Sequence, residues 1–392
     1  MKPTTRLLTA LLLSSGAVAA YALAGGSGAP TAAKQPAAPA GSSRIVNINP
    51  VVLGNSFVSP LVELFGDVSI GQKSFIAGNT TVSAEPGTRV CIGSETNLQD
   101  NILFLAQRRL PFKPQASVCG NMATLTGNRV SIAHQASIIN SKLGDFVFVG
   151  FHSRVESSVL ENGVFVLHGA VVRGVRIAQN RLVPSGAVIT TQAQADALPL
   201  KAEANSEFQN DVLDVNAEFA EGYIEQYKVG GLDAVSGVTA APRTSWNPRP
   251  VRPTLGQGVS VEEFVRIVGD VRLGANSSVG RRSSIRADEG APIIIGANSS
   301  IEDQVTFHAL KGTTIVVGSG LNASDNIVFH GPLTVGDNLT IGDDSVVFRS
   351  KIGNNVTIGE NALVIDVTLP DGAVVPDGAR ILKQADADAL KK

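Results

Sequence analysis

Aliphatic side chains recur at every sixth position over two long stretches of the chain, and many are followed by glycine and a small polar residue. Each hexad supplies one short strand and one corner, where Gly, Asn or Asp accepts the unusual backbone angles. Three hexads complete a triangular coil, and each coil buries the open face of its neighbour. We therefore predict an all-β chain of left-handed parallel β-helices. The residues that best show the period are Leu64, Ile70, Ile76 and Val82, and Ile267, Leu273, Val279 and Ile285.

The period covers two regions and is interrupted once, which predicts two β-helix domains in tandem. The first domain should span 44–190 and the second 257–392. Between them, 191–228 carries apolar residues near helical spacing and is predicted to form a helix that packs on a β-helix. Residues 229–256 contain the proline-rich run SWNPRPVRPTLG and are predicted to be a linker.

Residues 1–24 have the features of an export signal, because Lys2 and Arg6 precede an apolar stretch that ends in a possible A-L-A cleavage site. The alternative is an uncleaved membrane anchor, since the apolar stretch approaches the roughly 20 residues that span a bilayer. Residues 25–43, rich in Gly, Ala, Pro and Ser, are predicted to be a flexible tether. We therefore expect an exported, periplasmic or extracytoplasmic protein, with membrane contact only if the signal stays uncleaved.

The chain has two cysteines, Cys91 and Cys119, and a net charge of −2. In an exported protein these cysteines could form a disulfide or remain as two buried thiols, and the sequence leaves both alternatives open. The small net charge gives no electrostatic reason to expect nucleic acid as a partner.

Specific motifs accompany the repeat. The run SIRADEGAPIIIGANSSIEDQVTFHALKG, followed by NIVFHGPLTVGDN, resembles the γ-class carbonic anhydrases, and so does the Trp-Asn-Pro of the linker. The first domain resembles them more weakly, through TNLQDNILFLAQ and VSIAHQASIIN. The hexapeptide fold alone is less specific, because acyltransferases share it.

The resemblance implies a metal site in which two histidines come from one β-helix and the third from its neighbour. Matched to the family's motifs, His308 and His330 are the pair in the second domain, and His134 is the third histidine in the first domain. The first domain has Leu105 and Ile139 where the pair would stand. In the second domain Asp325 stands in place of the third histidine. The third ligand is therefore either His134 or Asp325 of a neighbouring copy, and the resemblance leaves open whether the site is intra-chain, inter-chain or degenerate.

Other family positions are divided in the same way between the two domains. The second domain keeps Arg286, Asp288 and Glu289, and Glu289 is the best remaining acid for proton transfer. The first domain keeps Asn97, Gln99 and Asp100. The family's second acid, just after the H-A-L motif, is Lys311 here.

The activity implied by the resemblance is hydration of CO2 to bicarbonate. The cofactor implied is Zn2+, with Fe2+ or Co2+ as alternatives, because three neutral imidazoles and an open position suit such an ion. We expect a homo-oligomer with the trimer-type packing of β-helices. Two other functions stay open: a non-catalytic hexapeptide-repeat scaffold or binding protein with degenerate sites, and an acyltransferase on the same fold.

Overall fold

The computed structural model describes residues 52–108 and 123–390, all of which belong to one compact unit, Gly41–Lys392. The predicted signal and tether, residues 1–43, and Cys119 lie outside the described residues. Cys91 is disulfide-bonded. No helix in the described part of the chain is long and apolar enough to cross a membrane.

The first half of the described chain is a succession of short strands. These are β1 (Val52–Leu53), β2 (Ser56–Val58), β3 (Glu63–Phe65), β4 (Val68–Ile70), β5 (Phe75–Ile76), β6 (Thr81–Ala84), β7 (Arg89–Ile92), β8 (Asn97–Leu98), β9 (Leu103–Ala106), β10 (Ala123–Thr126), β11 (Ser131–Ile132), β12 (Ser137–Ile139), β13 (Lys142–Leu143), β14 (Phe148–Val149), β15 (Arg154–Glu156), β16 (Val159–Leu160), β17 (Phe165–Val166), β18 (Val171–Arg173), β19 (Arg176–Ile177), β20 (Leu182–Val183) and β21 (Val188–Ile189).

Two helices follow, α1 (Gln192–Asp196) and α2 (Glu203–Val235), and a third helix, α3 (Gln384–Asp388), lies near the end of the chain. The second half is again a succession of short strands. These are β22 (Val238–Thr239), β23 (Thr254–Leu255), β24 (Ser260–Val261), β25 (Arg266–Gly269), β26 (Val271–Leu273), β27 (Ser278–Val279), β28 (Ser284–Ala287), β29 (Ile293–Ile295), β30 (Ser300–Ile301), β31 (Thr306–His308), β32 (Ile315–Val317), β33 (Asn322–Ala323), β34 (Val328–His330), β35 (Leu333–Val335), β36 (Thr340–Ile341), β37 (Val346–Phe348), β38 (Lys351–Ile352), β39 (Thr357–Ile358), β40 (Leu363–Ile365), β41 (Thr368–Leu369), β42 (Val374–Val375) and β43 (Arg380–Ile381).

Each succession of strands winds into a β-helix with three sheets. In the first β-helix the sheet orders are β1-β2-β5-β8-β11-β14-β17-β20, β4-β7-β10-β13-β16-β19 and β3-β6-β9-β12-β15-β18-β21. In the second they are β22-β25-β28-β31-β34-β37-β40-β43, β23-β26-β29-β32-β35-β38-β41 and β24-β27-β30-β33-β36-β39-β42. The pairs between successive coils are parallel, and the hairpin β1–β2 is antiparallel. The prediction of tandem left-handed parallel β-helices is confirmed.

The repeat explains the coil at the level of single residues. All the aliphatic residues that define the hexads are buried, except Ile70, which is partly exposed. Corner residues adopt the left-handed conformation, as Asn79 does with φ 58° and Gln135 with φ 60°. Asn tolerates this conformation better than most residues do, which is why it recurs at the corners.

The segment between the β-helices differs from its predicted bounds. The helix predicted to end at 228 continues to Val235, across a kink at Gly231 where φ is 65° and ψ is −156°. Gly230 and Gly231 favoured a helix end in the sequence, yet the chain resumes helical turns beyond them. The predicted linker, 229–256, contains the end of this helix together with β22 and β23, which pair with β25 and β26.

The two β-helices lie side by side in the same direction, and corner residues of one contact corners of the other. Asn79 Nδ2 donates to the carbonyl oxygens of Phe264 and Arg282 at 3.2 and 2.8 Å. Further along both coils, Gln135 Nε2 donates to the carbonyl oxygen of Gln304, and His152 Nε2 lies 2.7 Å from that of Asn326. These contacts fix the relative register of the two β-helices.

Two apolar clusters join the β-helices on either side of the functional site. One packs α2 against the first coils, through Phe57, Phe75, Phe219, Tyr223 and Val268. The other packs the aromatic face of the first β-helix on the second, through Phe148, Phe151, Phe165, Phe348 and Leu363. Full burial of such a side chain stabilises the fold by about 1.5–3 kcal/mol. Apolar contacts therefore contribute much of the stability of this interface.

Candidate metal centre

Three buried histidines meet at the interface between the two β-helices. His308 and His330 are paired residues on β31 and β34, and His134 follows β11 of the first β-helix. Each histidine offers a ring nitrogen, and these three nitrogens lie within 4.8 Å of one another. The two β-helices of one chain therefore complete the cluster without a neighbouring copy.

Asp100 orients the histidine of the first β-helix. Its Oδ2 lies 3.2 Å from His134 Nδ1, and both side chains are fully buried. The Asp100 backbone N–H also lies 3.3 Å from this Nδ1, but the charged carboxylate is the stronger partner and favours the tautomer with its proton on Nδ1, which leaves the lone pair on Nε2. That Nε2 lies 3.1 Å from His308 Nδ1 and points into the cluster.

Arg286 links the acids of the two β-helices. Its Nε donates to Asp100 Oδ2 at 3.0 Å, and its Nη1 donates to Asp288 Oδ2 at 2.7 Å. Ser284 Oγ donates to Asp100 Oδ1 at 2.8 Å, and Tyr223 Oη on α2 donates to Asp288 Oδ2 at 2.7 Å. Burial raises the pKa of both aspartates, but the Arg286 guanidinium, together with the hydrogen bonds and charges of the neighbouring histidines, outweighs it and holds each pKa well below the usual range. The network therefore carries buried charge across the interface directly beside the histidines.

Two acids of the second β-helix lie behind His308. Its Nε2 is 3.3 Å from Asp288 Oδ1 and 3.3 Å from Glu289 Oε1. Burial, together with the nearby Asp288 carboxylate, raises the pKa of Glu289 well above its ordinary value. His308 Nε2 and Asp288 Oδ1 are buried without a hydrogen-bond partner among the described residues. These two atoms face each other at 3.3 Å, close enough for an ion pair but without hydrogen-bond geometry.

Aromatic rings pack around His330 and fix its position. Phe151 stacks on His330 with ring centroids 4.7 Å apart, and on its other side it stacks on His168 at 4.4 Å. Phe348 meets His330 edge-on at 5.3 Å. His330 Nδ1 lies 3.2 Å from the carbonyl oxygen of Gly331, so the protonated Nδ1 donates there and Nε2 keeps its lone pair.

Burial keeps the three imidazoles neutral. It lowers the pKa of His134 to about 4 despite the adjacent Asp100 carboxylate. Burial, and next the Arg286 guanidinium, lowers the pKa of His308, and burial with the two other imidazoles lowers the pKa of His330 well below its ordinary value. Neutral imidazole is the form that ligates metals. The three nitrogens thus fit one zinc-type divalent ion, which protein sites bind through imidazole.

A cavity of about 540 Å³ opens onto the cluster. His308, His330 and Glu289 line it from the second β-helix, and Gln99 lines it from the first. The N-terminal half of α2 forms the opposite wall. Asn97, two residues from Gln99, instead lines a separate cavity of about 190 Å³ beneath α2. Of the two amide residues predicted in the first domain, Gln99 therefore lies at the cavity and Asn97 lies apart.

Comparison with known proteins identifies the family. The chain is 34% identical over 186 residues to the carbonic anhydrase of Methanosarcina thermophila, a match that covers 45% of this chain and 75% of that protein. The chain belongs to the γ-carbonic-anhydrase-like hexapeptide-repeat family. No family model matches the chain.

Other relatives in this γ-carbonic-anhydrase-like family are longer than the matched region. The carboxysome assembly protein CcmM of Nostoc sp. is 40% identical over 175 residues, 43% of this chain and 30% of that protein. The mitochondrial gamma carbonic anhydrase 1 of Arabidopsis thaliana is 32% identical over 140 residues, 36% of this chain and 46% of that protein. The chain therefore spans less than half the length of these two relatives.

Asp325 and Lys311, which depart from the γ-carbonic-anhydrase motifs, occupy different environments. Asp325 lies at an exposed corner, where its Oδ1 accepts from the backbone N–H of Asp303 at 2.9 Å. Within one chain, Asp325 therefore does not belong to the histidine cluster. Lys311 lines the 540 Å³ cavity, with its Nζ 4.5 Å from the centroid of the Trp246 ring.

Sequence reasoning missed several residues at the γ-carbonic-anhydrase-like site. Asp100 is not among them, because the resemblance marks it as a family position beside Gln99, although its contact with His134 was not predicted. Tyr223 is one residue of a helix, and nothing in a helical pattern indicates that its hydroxyl reaches Asp288. Phe151 has no local signal, because its stacking on His330 depends on how the two β-helices pack.

Proposed function

We propose that this protein is a γ-class carbonic anhydrase that interconverts CO2 and bicarbonate at His134, His308 and His330. The observation that carries the proposal is the meeting of three buried, neutral imidazoles at one cavity. When bound there, a zinc-type ion acts as a Lewis acid and makes a water-derived nucleophile available at neutral pH. We propose Zn2+ as this ion, with Fe2+ or Co2+ as alternatives of the same ligand preference.

The surrounding residues suit this chemistry. Asp100 holds the His134 tautomer, and Arg286 pairs with both Asp100 and Asp288 and offsets part of their charge. Phe148 and Leu310 line the cavity with apolar surface, which suits a small apolar gas such as CO2. Glu289 is the acid of this wall and is proposed to take up and release the proton, a function that typically contributes 10²–10⁴-fold to rate.

The test is stopped-flow CO2 hydration by purified protein reconstituted with Zn2+ or Fe2+, alongside metal analysis. We expect activity in the wild type and its loss in His134→Ala, together with loss of bound metal. His152→Gln is the matched control, because His152 lies at the same interface but outside the cluster. Unchanged metal and activity in His134→Ala would remove the composite site from the account.

A non-catalytic scaffold is the second candidate function. It is supported by the similarity to a protein named for carboxysome assembly. Under this alternative the histidines are residues of a degenerate site. Purified protein without stoichiometric metal and without CO2 hydration after reconstitution would favour it.

We also propose that the protein is exported and forms homo-oligomers with trimer-type β-helix packing. The predicted signal over 1–24 supports export. The flat faces of β-helices, which can pack against one another, support oligomerisation. Cell fractionation with N-terminal sequencing tests the first point, since a cleaved signal predicts a mature chain beginning near Gly25. Light scattering on the purified protein tests the second, and a monomer at micromolar concentration would refute it.

A further inference from the structure

Lys311 is held in a defined position at the wall of the cavity. Its ammonium lies over the Trp246 ring, and Trp246 Nε1 donates to the carbonyl oxygen of Asp288 at 2.9 Å. The indole is thereby fixed to the same chain segment that supplies the site, and a cation–π contact places the ammonium on it. Among the described residues Lys311 Nζ forms no ion pair, although its charge acts on the nearby Glu289 carboxyl group. This cation is therefore available to a ligand.

The charges that share the cavity are otherwise negative. Lys311 is the one lysine or arginine among the described lining residues, which also include Asp211, Asp214, Glu218 and Glu289. Glu218 is engaged, since its two oxygens accept from the backbone N–H and hydroxyl of Ser245 at 2.8 Å each. Asp211 and Asp214 are exposed on α2, where water and salt screen them. An anion that enters the cavity therefore has its favourable electrostatic partner at Lys311.

A second polar group faces the same cavity without a partner. Gln99 is only 7% exposed, and its Oε1 is buried with no hydrogen-bond partner among the described residues. Because the two ends of an amide are assigned from their hydrogen bonds, this side chain can present either its oxygen or its NH2 group to a ligand. The walls beside it, Phe208 and Leu310, are apolar and strengthen any charge interaction in the cavity.

We propose that Lys311, with the Gln99 amide as a second contact, forms a binding site for a small oxyanion, and that bicarbonate is its ligand. The inference rests on the proposed function, because bicarbonate is the anion that the reaction forms or consumes. Lys311 then determines specificity by attracting the anionic substrate. It stands where the family resemblance predicts a second acid, so this position recruits an anion, while Glu289 remains the proposed proton-transfer group.

Trp246 provides a direct readout, because it is the only tryptophan of the chain. Metal-free protein is titrated with bicarbonate, and with formate as an analogue that does not react, at constant ionic strength. We expect a saturable change in Trp246 fluorescence as the anion draws the ammonium from the ring. Lys311→Gln lacks this signal, so its affinity is compared with the wild type by isothermal titration calorimetry and should be roughly threefold to tenfold weaker, as expected for loss of one charge several ångströms from the anion.

A variant that removes negative charge from the cavity serves as the matched control. Asp211→Asn combined with Asp214→Asn removes two negative charges from the rim and should tighten anion binding roughly twofold to threefold. The inference is overturned by an unresponsive wild type, or by equal affinities in Lys311→Gln and the wild type. Since the titration uses metal-free protein, an absence of CO2 hydration would count against the proposed function and leave this result intact.

Discussion

The two β-helices place different residues at matching positions of corresponding sheets. In the second, Arg286, His308, His330 and Phe348 follow one another across paired strands. In the first, the corresponding series is Ser83, Leu105, Ile139 and Glu156. The second series faces the partner β-helix and is buried, whereas in the first series Ser83, Leu105 and Glu156 are partly exposed. Functional side chains occur on the face that the tandem arrangement covers.

The difference teaches that each β-helix carries half of one site. The first contributes His134 and Asp100 from a corner, and the second contributes two histidines from a strand face. A fused pair offers one interface of this kind within the chain. The absence of histidine at Leu105 and Ile139 agrees with that limit, because no third β-helix within the chain faces them.

The largest effect should come from breaking the charge network that joins the halves. Arg286→Met leaves Asp100 and Asp288 buried without their cation, and such a change costs about 3–5 kcal/mol. We expect that loss in the free energy of unfolding, measured by urea titration. Arg272→Met is the control, because Arg272 is exposed and pairs only with Asp270 at the surface. Equal losses in the two variants would show that the buried network adds nothing special.

The next largest effect is expected from replacing Glu289, the acid proposed to transfer the proton at the cavity. Glu289→Gln should lower the turnover of CO2 hydration about 100-fold, the lower range for a general acid or base, while metal content stays unchanged. The corresponding residue of the first β-helix is Pro86, so the first half cannot substitute. Small imidazole buffers should restore part of the rate. Full activity in Glu289→Gln without added buffer would exclude it as the proton-transfer group.

The corner contacts should give a smaller effect. Gln135→Leu removes the amide that donates to the carbonyl oxygens of Gln304 and Ile327. The Ile327 carbonyl keeps its bond from the Thr306 backbone N–H, so the loss is mainly the bond to the part-buried Gln304 carbonyl and costs about 1 kcal/mol. Urea unfolding measures this cost against Gln179→Leu, an exposed glutamine of the same β-helix. A loss in Gln179→Leu as large as in Gln135→Leu would remove the corner contacts from the interface account.

The smallest effect is expected from restoring the missing pair. Leu105→His combined with Ile139→His places two imidazoles at the matching positions of the first β-helix. They lack a third histidine across an interface, so metal analysis should find no additional ion per chain. A second bound equivalent would mean that another copy completes that face, and the contrast between the two β-helices would fail.

The sequence predicted the local architecture well and the long-range packing less well. The hexads determine where strands and corners fall, because each depends on a few neighbouring residues. The contact between His134 and His308 depends on how two β-helices pack, and a six-residue period carries no information about that packing. The end of α2 was missed for a related reason: the glycines at 230 and 231 favour termination locally, yet the helix continues to Val235 across the kink. The role of Tyr223 likewise appears only when α2 is placed on the interface.

The central claim is that one metal site per chain is built from both β-helices. Native mass spectrometry of the reconstituted protein tests it, because it reports metal bound per chain in each assembly. We predict one ion per chain in the wild type and in His152→Gln, and none in His134→Ala or His308→Ala at the same free metal concentration. Retention of the ion in His134→Ala would contradict the account, since the second β-helix would then bind metal without the first.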